Sequence, residues 1–244
     1  MSEFDKQYST YDNNVFEHSN SIDLNTFIAK TFLWMGVGLA VTFAAAFALF
    51  RTGTIYRMLM SGGSGILIVA AILQIGVVLF LGVRLQKMSV TAARVCFLAY
   101  AALTGIDFSI FFVAYDFDIL IYAFGLTAFF FGGMAFLTLK LKLDVSGIGK
   151  YLFCGLIFML VVGLIGGIAG IGWTGILTAW IGIAVFIGYT AYDTQMIVRQ
   201  YHYYAGNTTI LEKASVFAAL QLYLDFINLL MRIVRILANS KSRD

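Results

Sequence analysis

Apolar residues do not alternate with polar ones along this chain; they run in long blocks separated by short polar connections. The blocks fall near residues 27–50, 65–83, 92–114, 119–139, 151–171 and 173–199, with a less pure one at 210–237. Each reaches roughly 20 residues or more, which at about 1.5 Å rise per residue crosses a hydrocarbon core of about 30 Å. The pattern predicts an all-α polytopic membrane protein, a bundle of seven transmembrane helices. Thr209-Ile210-Leu211-Glu212 has the form of a capping box and predicts the start of the seventh helix. Residues 1–25 are polar, with Glu3, Asp5, Asp12, Glu17 and Asp23 against a single Lys6. No basic segment precedes a short apolar core there, so the expectation is a flexible acidic tail, not a cleaved signal peptide. The membrane domain then spans 26–237, and 238–244 form a short basic tail.

Composition narrows the class. Of 244 residues, 61% are hydrophobic and only 12% charged, about half the roughly 25% usual for soluble domains. Mean hydropathy is +0.89. So few charges do not cover a water-facing surface, which excludes soluble enzymes and nucleic-acid-binding modules. The net charge of +3 is scattered. Pro is absent and Gly numbers 24, so any helix bend must come from Gly. Gly163, Gly166, Gly167 and Gly170 form two overlapping G-x-x-x-G patterns, for which close helix packing is expected. The two cysteines, Cys96 and Cys154, sit in apolar runs and suggest neither a disulfide framework nor a metal site.

Lys and Arg set the orientation. Arg84, Lys87 and Arg94 flank the second connection, Lys140, Lys142 and Lys150 the fourth, and Arg199 and Lys213 the sixth. The alternate connections hold Arg51 and Arg57 or no basic residue. The even connections and the N-terminus are therefore expected in the cytosol. Arg232, Arg235, Lys241 and Arg243 conflict with this if the seventh helix crosses fully; a re-entrant segment is the alternative, and a full crossing is preferred. The glycosylation sequon Asn207-Thr208-Thr209 then faces the cytosol and is a chance match.

Three acids interrupt the apolar blocks: Asp107, Asp193 and Asp225. An Asp at the bilayer centre costs about 2.5–3.5 kcal/mol on the insertion scale, so such residues turn inward and mark function by default. Gln221, Asp225, Asn228 and Arg232 fall at helical offsets that make one polar stripe. Asp193 lies toward the cytosolic end of the sixth helix, and Asp225 lies on the helix that follows. Consecutive helices are commonly neighbours, so the two carboxyls are expected to meet. A carboxylate pair in a dry site shares a proton and titrates as a unit. It suits a pH sensor, a cation site or an aspartyl-protease dyad. Arg84 is the expected basic partner.

These residues carry a resemblance. Lys87-Met88-Ser89 with Ala99-Tyr100-Ala101-Ala102-Leu103-Thr104-Gly105, the stretch Phe124 to Leu139, Gly188-Tyr189-Thr190-Ala191-Tyr192-Asp193-Thr194-Gln195 and Leu222-Tyr223-Leu224-Asp225-Phe226-Ile227-Asn228-Leu229 resemble segments of the Bax inhibitor-1 family, in its bacterial branch. The resemblance spans about residues 26–237. It implies a seven-helix bundle with the seventh helix central, and a pH-sensitive calcium leak gated by Asp193 and Asp225. It also implies a closed form latched by an Arg on the second helix, here Arg84. Two departures stand out. Asp107 occupies a position more usually apolar, and the acid expected in the second span has no match, with Gln74 the nearest polar group.

The leading functional expectation is a cation path through the bilayer, with Asp193 and Asp225 as hard oxygen ligands suited to Ca²⁺. Asp107, Gln221, Asn228 and Arg232 are candidates to line it. No cofactor is expected, and the host is a bacterial plasma membrane. A second reading is a non-conducting regulator of a membrane protease complex or of cell-death and stress machinery, carried by the acidic tail with Tyr8 and Tyr11. A third, an intramembrane aspartyl protease, is opposed by the Tyr-Leu-Asp context of Asp225 and by the absence of Pro; the protein is not expected to be an enzyme.

Overall fold

The computed structural model describes residues 22–61, 64–84, 87–170 and 173–241. The acidic segment 1–21 and residues 242–244, on which the two tail expectations largely rest, lie outside the described residues. Among the described residues the chain forms α1 (Leu24–Arg51), a short α2 (Thr54–Met60), α3 (Ser64–Arg84), α4 (Val90–Ala114), α5 (Phe117–Leu141), a 3-10 turn (Ser146–Ile148), α6 (Gly149–Ile168), α7 (Trp173–Tyr204) and α8 (Thr208–Lys241), with no strand. Six of these helices are long and apolar enough to cross a membrane: all but α2 and α3, whose described apolar part is Val69–Arg84.

Helix starts follow local chemistry. Asp23 Oδ2 accepts from Thr26 N at 3.4 Å and Ser89 Oγ from Ala92 N at 3.1 Å, each satisfying an orphan N–H of the first turn. The start of α8 corrects the capping-box expectation. Asn207 is its cap, with Oδ1 accepting from Ile210 N at 3.0 Å. Glu212 does not fold back on the helix start; tertiary charges claim it instead, Lys30 at 3.5 Å and Arg94 at 3.3 Å. Arg94 also lies over the Trp34 ring, 5.1 Å from its centroid.

These ion pairs fix which helix ends lie together. Glu212 joins the beginnings of α1, α4 and α8. Asp144, between α5 and α6, meets Arg199 near the end of α7 at 3.5 Å. At the opposite end Lys241 Nζ donates to Asp116 Oδ2, just before α5, at 2.5 Å. Thus α8 runs unbroken from one end of the bundle to the other, about 50 Å at 1.5 Å per residue, and no re-entrant turn interrupts it. Residues 238–241, expected in a tail, form its last turn.

Helix α8 packs against α1, α4, α5 and α7. Of its most apolar 18-residue stretch 72% is buried, against 11% for the corresponding stretch of α6. It is therefore the core helix, and Leu220, Leu222, Tyr223 and Leu229 are among its fully buried side chains. The outer helices present Leu33, Ile72, Phe129, Leu160 and Ile168 outward, an apolar belt that water would not tolerate but lipid does. Among the described residues helix α6 packs mainly on α7, and α3 mainly on α4.

Buried threonines are satisfied cheaply. Thr31, Thr42, Thr104, Thr127, Thr178 and Thr190 each donate to the carbonyl four residues back, at 2.7–3.0 Å. The glycine pattern of α6 is only partly used. A Cβ at Gly166 would sit 2.1 Å from Thr174 Oγ1, so this glycine lets α7 approach. Gly163 and Gly167 face open space, and Gly170 leaves the helix with φ +67°. Periodicity found the close contact but not which glycine makes it.

Candidate functional site

The site forms along the seam between α7 and α8. These helices are antiparallel, so positions rising along α8 meet positions falling along α7. Gln221 Oε1 accepts from Gln200 Nε2 at 3.5 Å. One turn on, the carboxyl of Asp225 is in hydrogen-bonding contact with that of Asp193. Further on, the side chain of Arg232 lies against Gly182. One helix face thus carries an amide, a carboxyl and a guanidinium, each matched to a position on α7.

The two aspartates are 9% and 5% exposed, and the other buried polar groups on side chains among the described residues are Thr, Ser and Tyr hydroxyls. Among the described residues, Asp225 Oδ2 is buried with no donor reaching it. Tyr189 stands within electrostatic range of both carboxyls. Tyr192, the other tyrosine of the α7 segment, packs on α6 at Gly149, where a Cβ would come within 2.9 Å of its ring. Two anions at that range in a dry site repel strongly, and either a proton or a cation between them relieves the repulsion; with a proton the pair becomes a carboxyl–carboxylate bond. A carboxyl–carboxylate bond of this kind is charge-assisted and short.

The other expected site residues divide. Asn228 spends its Nδ2 on the Leu224 carbonyl of its own helix at 2.8 Å. Asp107, on α4, is half-buried and accepts from Gln74 Nε2 on α3 at 2.5 Å, away from the α7–α8 seam. The structure does not bring Arg84 to the pair. It ends α3 exposed, on a helix that packs against α4 outside the core, and the ion pairs among the described residues do not include it. Nor do the described residues hold a group of three or more His, Cys, Asp or Glu side chains placed to bind a metal.

A second polar knot escaped the sequence reading. Tyr223 is fully buried, edge-on to Phe97 and Tyr100 at 5.7 and 5.9 Å between centroids. Its hydroxyl and Thr42 Oγ1 share a 2.6 Å hydrogen bond. Thr42 directs its own proton to carbonyls, Ala101 O at 2.8 Å and Gly38 O at 3.0 Å, so Tyr223 is the donor. This ties α8 to α1 and α4 on the face opposite the carboxyl pair. At the basic end, Asp144 accepts from Ser146 Oγ at 2.7 Å, Ser146 N at 3.1 Å and Gln195 Nε2 at 3.2 Å. The Ser146 bonds foremost hold its carboxyl down at about 2. Gln195 Oε1 in turn accepts from Val145 N at 3.1 Å, latching the α5–α6 connection to α7 two residues beyond Asp193.

The family model described as "Inhibitor of apoptosis-promoting Bax1" matches residues 24–242, from the first helix to the end of α8. The chain belongs to the Bax inhibitor-1 family. It is 33% identical over 235 residues to the inner membrane protein YbhL of Escherichia coli, covering 93% of this chain and 99% of that one. An uncharacterized protein of Borreliella burgdorferi is 32% identical over 218 residues, 89% of this chain and 94% of its own. As a Bax inhibitor-1 family member with a bacterial inner-membrane relative, the chain is a multi-pass membrane protein. The family match also takes in the whole carboxyl-bearing seam of α7 and α8.

Proposed function

We propose that this protein is a proton-sensitive cation leak, calcium among its ions, with the Asp193–Asp225 pair as sensor and cation site. The observation that carries the reading is the contact of two carboxyls, both at least nine-tenths buried, inside a membrane bundle. The proposal includes α3 as a seventh crossing, with α8 as the core helix of the bundle. It also takes the end carrying Lys30, Arg94, Lys142 and Arg199 as cytosolic, by the excess of Lys and Arg there.

The pair couples charge to packing. With one shared proton it bonds α7 to α8 and carries a single negative charge. A change in proton count alters both that bond and the charge a permeating cation meets. Carboxylate oxygens are the ligands hard cations prefer, and a path with few, weak sites lets ions leave again. The buried pair is sealed in this conformation, so conduction requires α7 and α8 to separate locally.

The test is flux from liposomes holding only the purified chain, with Ca²⁺ and Na⁺ compared across pH 5 to 8. Flux that varies with pH supports the leak. A protein that is folded, inserted and impermeable to both ions at every pH sinks it and leaves the non-conducting regulator.

A further inference from the structure

Arg232 lies seven residues beyond Asp225, about 10 Å along α8 and nearly on the same face. Its side chain is folded against α7 where Gly182 leaves room: a Cβ at position 182 would sit 3.0 Å from Arg232 Cγ, Cδ and Nε. Among the described residues its Nε is buried without a hydrogen-bond partner, and no carboxylate forms an ion pair with it. Of the two acids near the end of α8, Asp116 is held by Lys241 and Asp118 lies within electrostatic range of the same lysine. Arg235 follows, with Nη1 3.7 Å from the Cβ position of Gly175, so the same sign of charge continues outward.

A guanidinium keeps its proton in any protein setting, and an ionised group within a membrane bundle ordinarily finds a counter-charge. Here the seam carries a carboxyl pair, then a cation without one, wedged against a helix whose side chain has been deleted to admit it. A cation that leaves the pair along this seam toward the Lys241 end must pass that charge.

We propose that Arg232 is an electrostatic barrier on the cation path, set in the α7–α8 seam beyond the carboxyl pair, which limits the leak and bears hardest on divalent ions. This rests on the leak reading. Coulomb repulsion is proportional to the charge of the ion. A divalent ion therefore meets twice the barrier of a monovalent one, and removing Arg232 multiplies its flux by the square of the monovalent factor. Looser packing without a charge effect has no such signature, because it raises both fluxes by a similar factor.

The experiment compares the full chain with Arg232→Gln, Arg232→Lys and Gly182→Ala in liposomes, measuring Ca²⁺ and Na⁺ efflux at one pH. If Arg232→Gln raises Na⁺ flux about threefold, Ca²⁺ flux should rise about ninefold. Arg232→Lys retains the charge and should retain the low Ca²⁺ to Na⁺ ratio. Gly182→Ala pushes the side chain aside and should shift the ratio toward the Gln value. Equal gains for both ions in Arg232→Gln, or an unchanged ratio, overturn the barrier. Flux in Arg232→Gln with none in the wild type at that pH supports the barrier if Arg232→Lys stays closed; if Arg232→Lys leaks as well, loosened packing is the cause and the barrier is overturned. A wild-type leak that Arg232→Gln leaves unaltered overturns the barrier alone, whereas no flux from either protein at any pH from 5 to 8 overturns both readings.

Discussion

Gln74 on α3 donates its amide N–H to the carboxyl of Asp107 on α4 at 2.5 Å. The contact matters because α3 has few other anchors; it packs against α4 and the short α2. An acid at an outer helix pair is stabilised there by an amide donor from the neighbouring helix. Gln74→Leu removes that donor and should cost about 0.6–1.7 kcal/mol, the range for interhelical hydrogen bonds in membranes. Gln74→Leu combined with Asp107→Leu should recover much of that loss, since no polar group is then stranded. Unfolding in mixed micelles checks it. Additive losses in the double variant would show that the two side chains do not depend on each other.

The α6–α7 interface makes a sharper structural test. Gly166→Ala drives a methyl to 2.1 Å from Thr174 Oγ1, an overpacking that typically costs about 1–3 kcal/mol. Gly167→Ala meets nothing within 4 Å and gains helix propensity of up to about 1 kcal/mol. Adjacent glycines of the same motif should therefore respond in opposite directions. Equal melting temperatures for the two variants would contradict this packing.

The seam of α7 and α8 was legible in the sequence because membranes make polar residues expensive. Gln221, Asp225 and Arg232 in an apolar helix leave few choices of face, and neighbours in sequence are commonly neighbours in space. Arg84 shows the limit of that logic. Its height along the bundle matches that of the basic end, but which helices stand between α3 and the pair is a matter of packing that no periodicity records. Tyr223 and Thr42 were invisible for another reason. Both residue types are common in apolar helices, and their bond joins positions 181 residues apart. Glu212 fits a local capping rule, yet two cations from other helices outcompete the helix's own N–H groups.

Asp144 separates the loop latch from the proposed sensor. Its carboxyl is held at about 2, below the ordinary aspartate value of 3.8, chiefly by the Ser146 hydroxyl. A depressed folded value means that the contact stabilises the connection above the unfolded value and is lost as pH falls from about 4 through about 2. Between pH 5 and 8 the latch is fully formed and its charge constant. Asp144→Asn should consequently leave the shape of the pH–flux profile between pH 5 and 8 as it is in the wild type. A carboxyl-carbon NMR titration of Asp144 with its midpoint above 4 would refute the assignment.

The carboxyl pair gives the most exposed prediction. Asp193→Asn and Asp225→Asn each keep the shape of the side chain and supply a fixed N–H donor to the remaining carboxyl. The contact between α7 and α8 can persist, so both variants should fold and insert. What they lose is the exchangeable proton between two equivalent acids. Their flux should be nearly flat across the range in which the wild type responds. Asp107→Asn lies outside the seam and should alter rate or ion preference while leaving the pH response in place. The contrast between the positions carries the argument, because all three substitutions remove one carboxyl from an apolar helix. If the wild-type pH profile survives in both Asp193→Asn and Asp225→Asn, the pair is a structural bond between two helices and the proton sensor lies elsewhere.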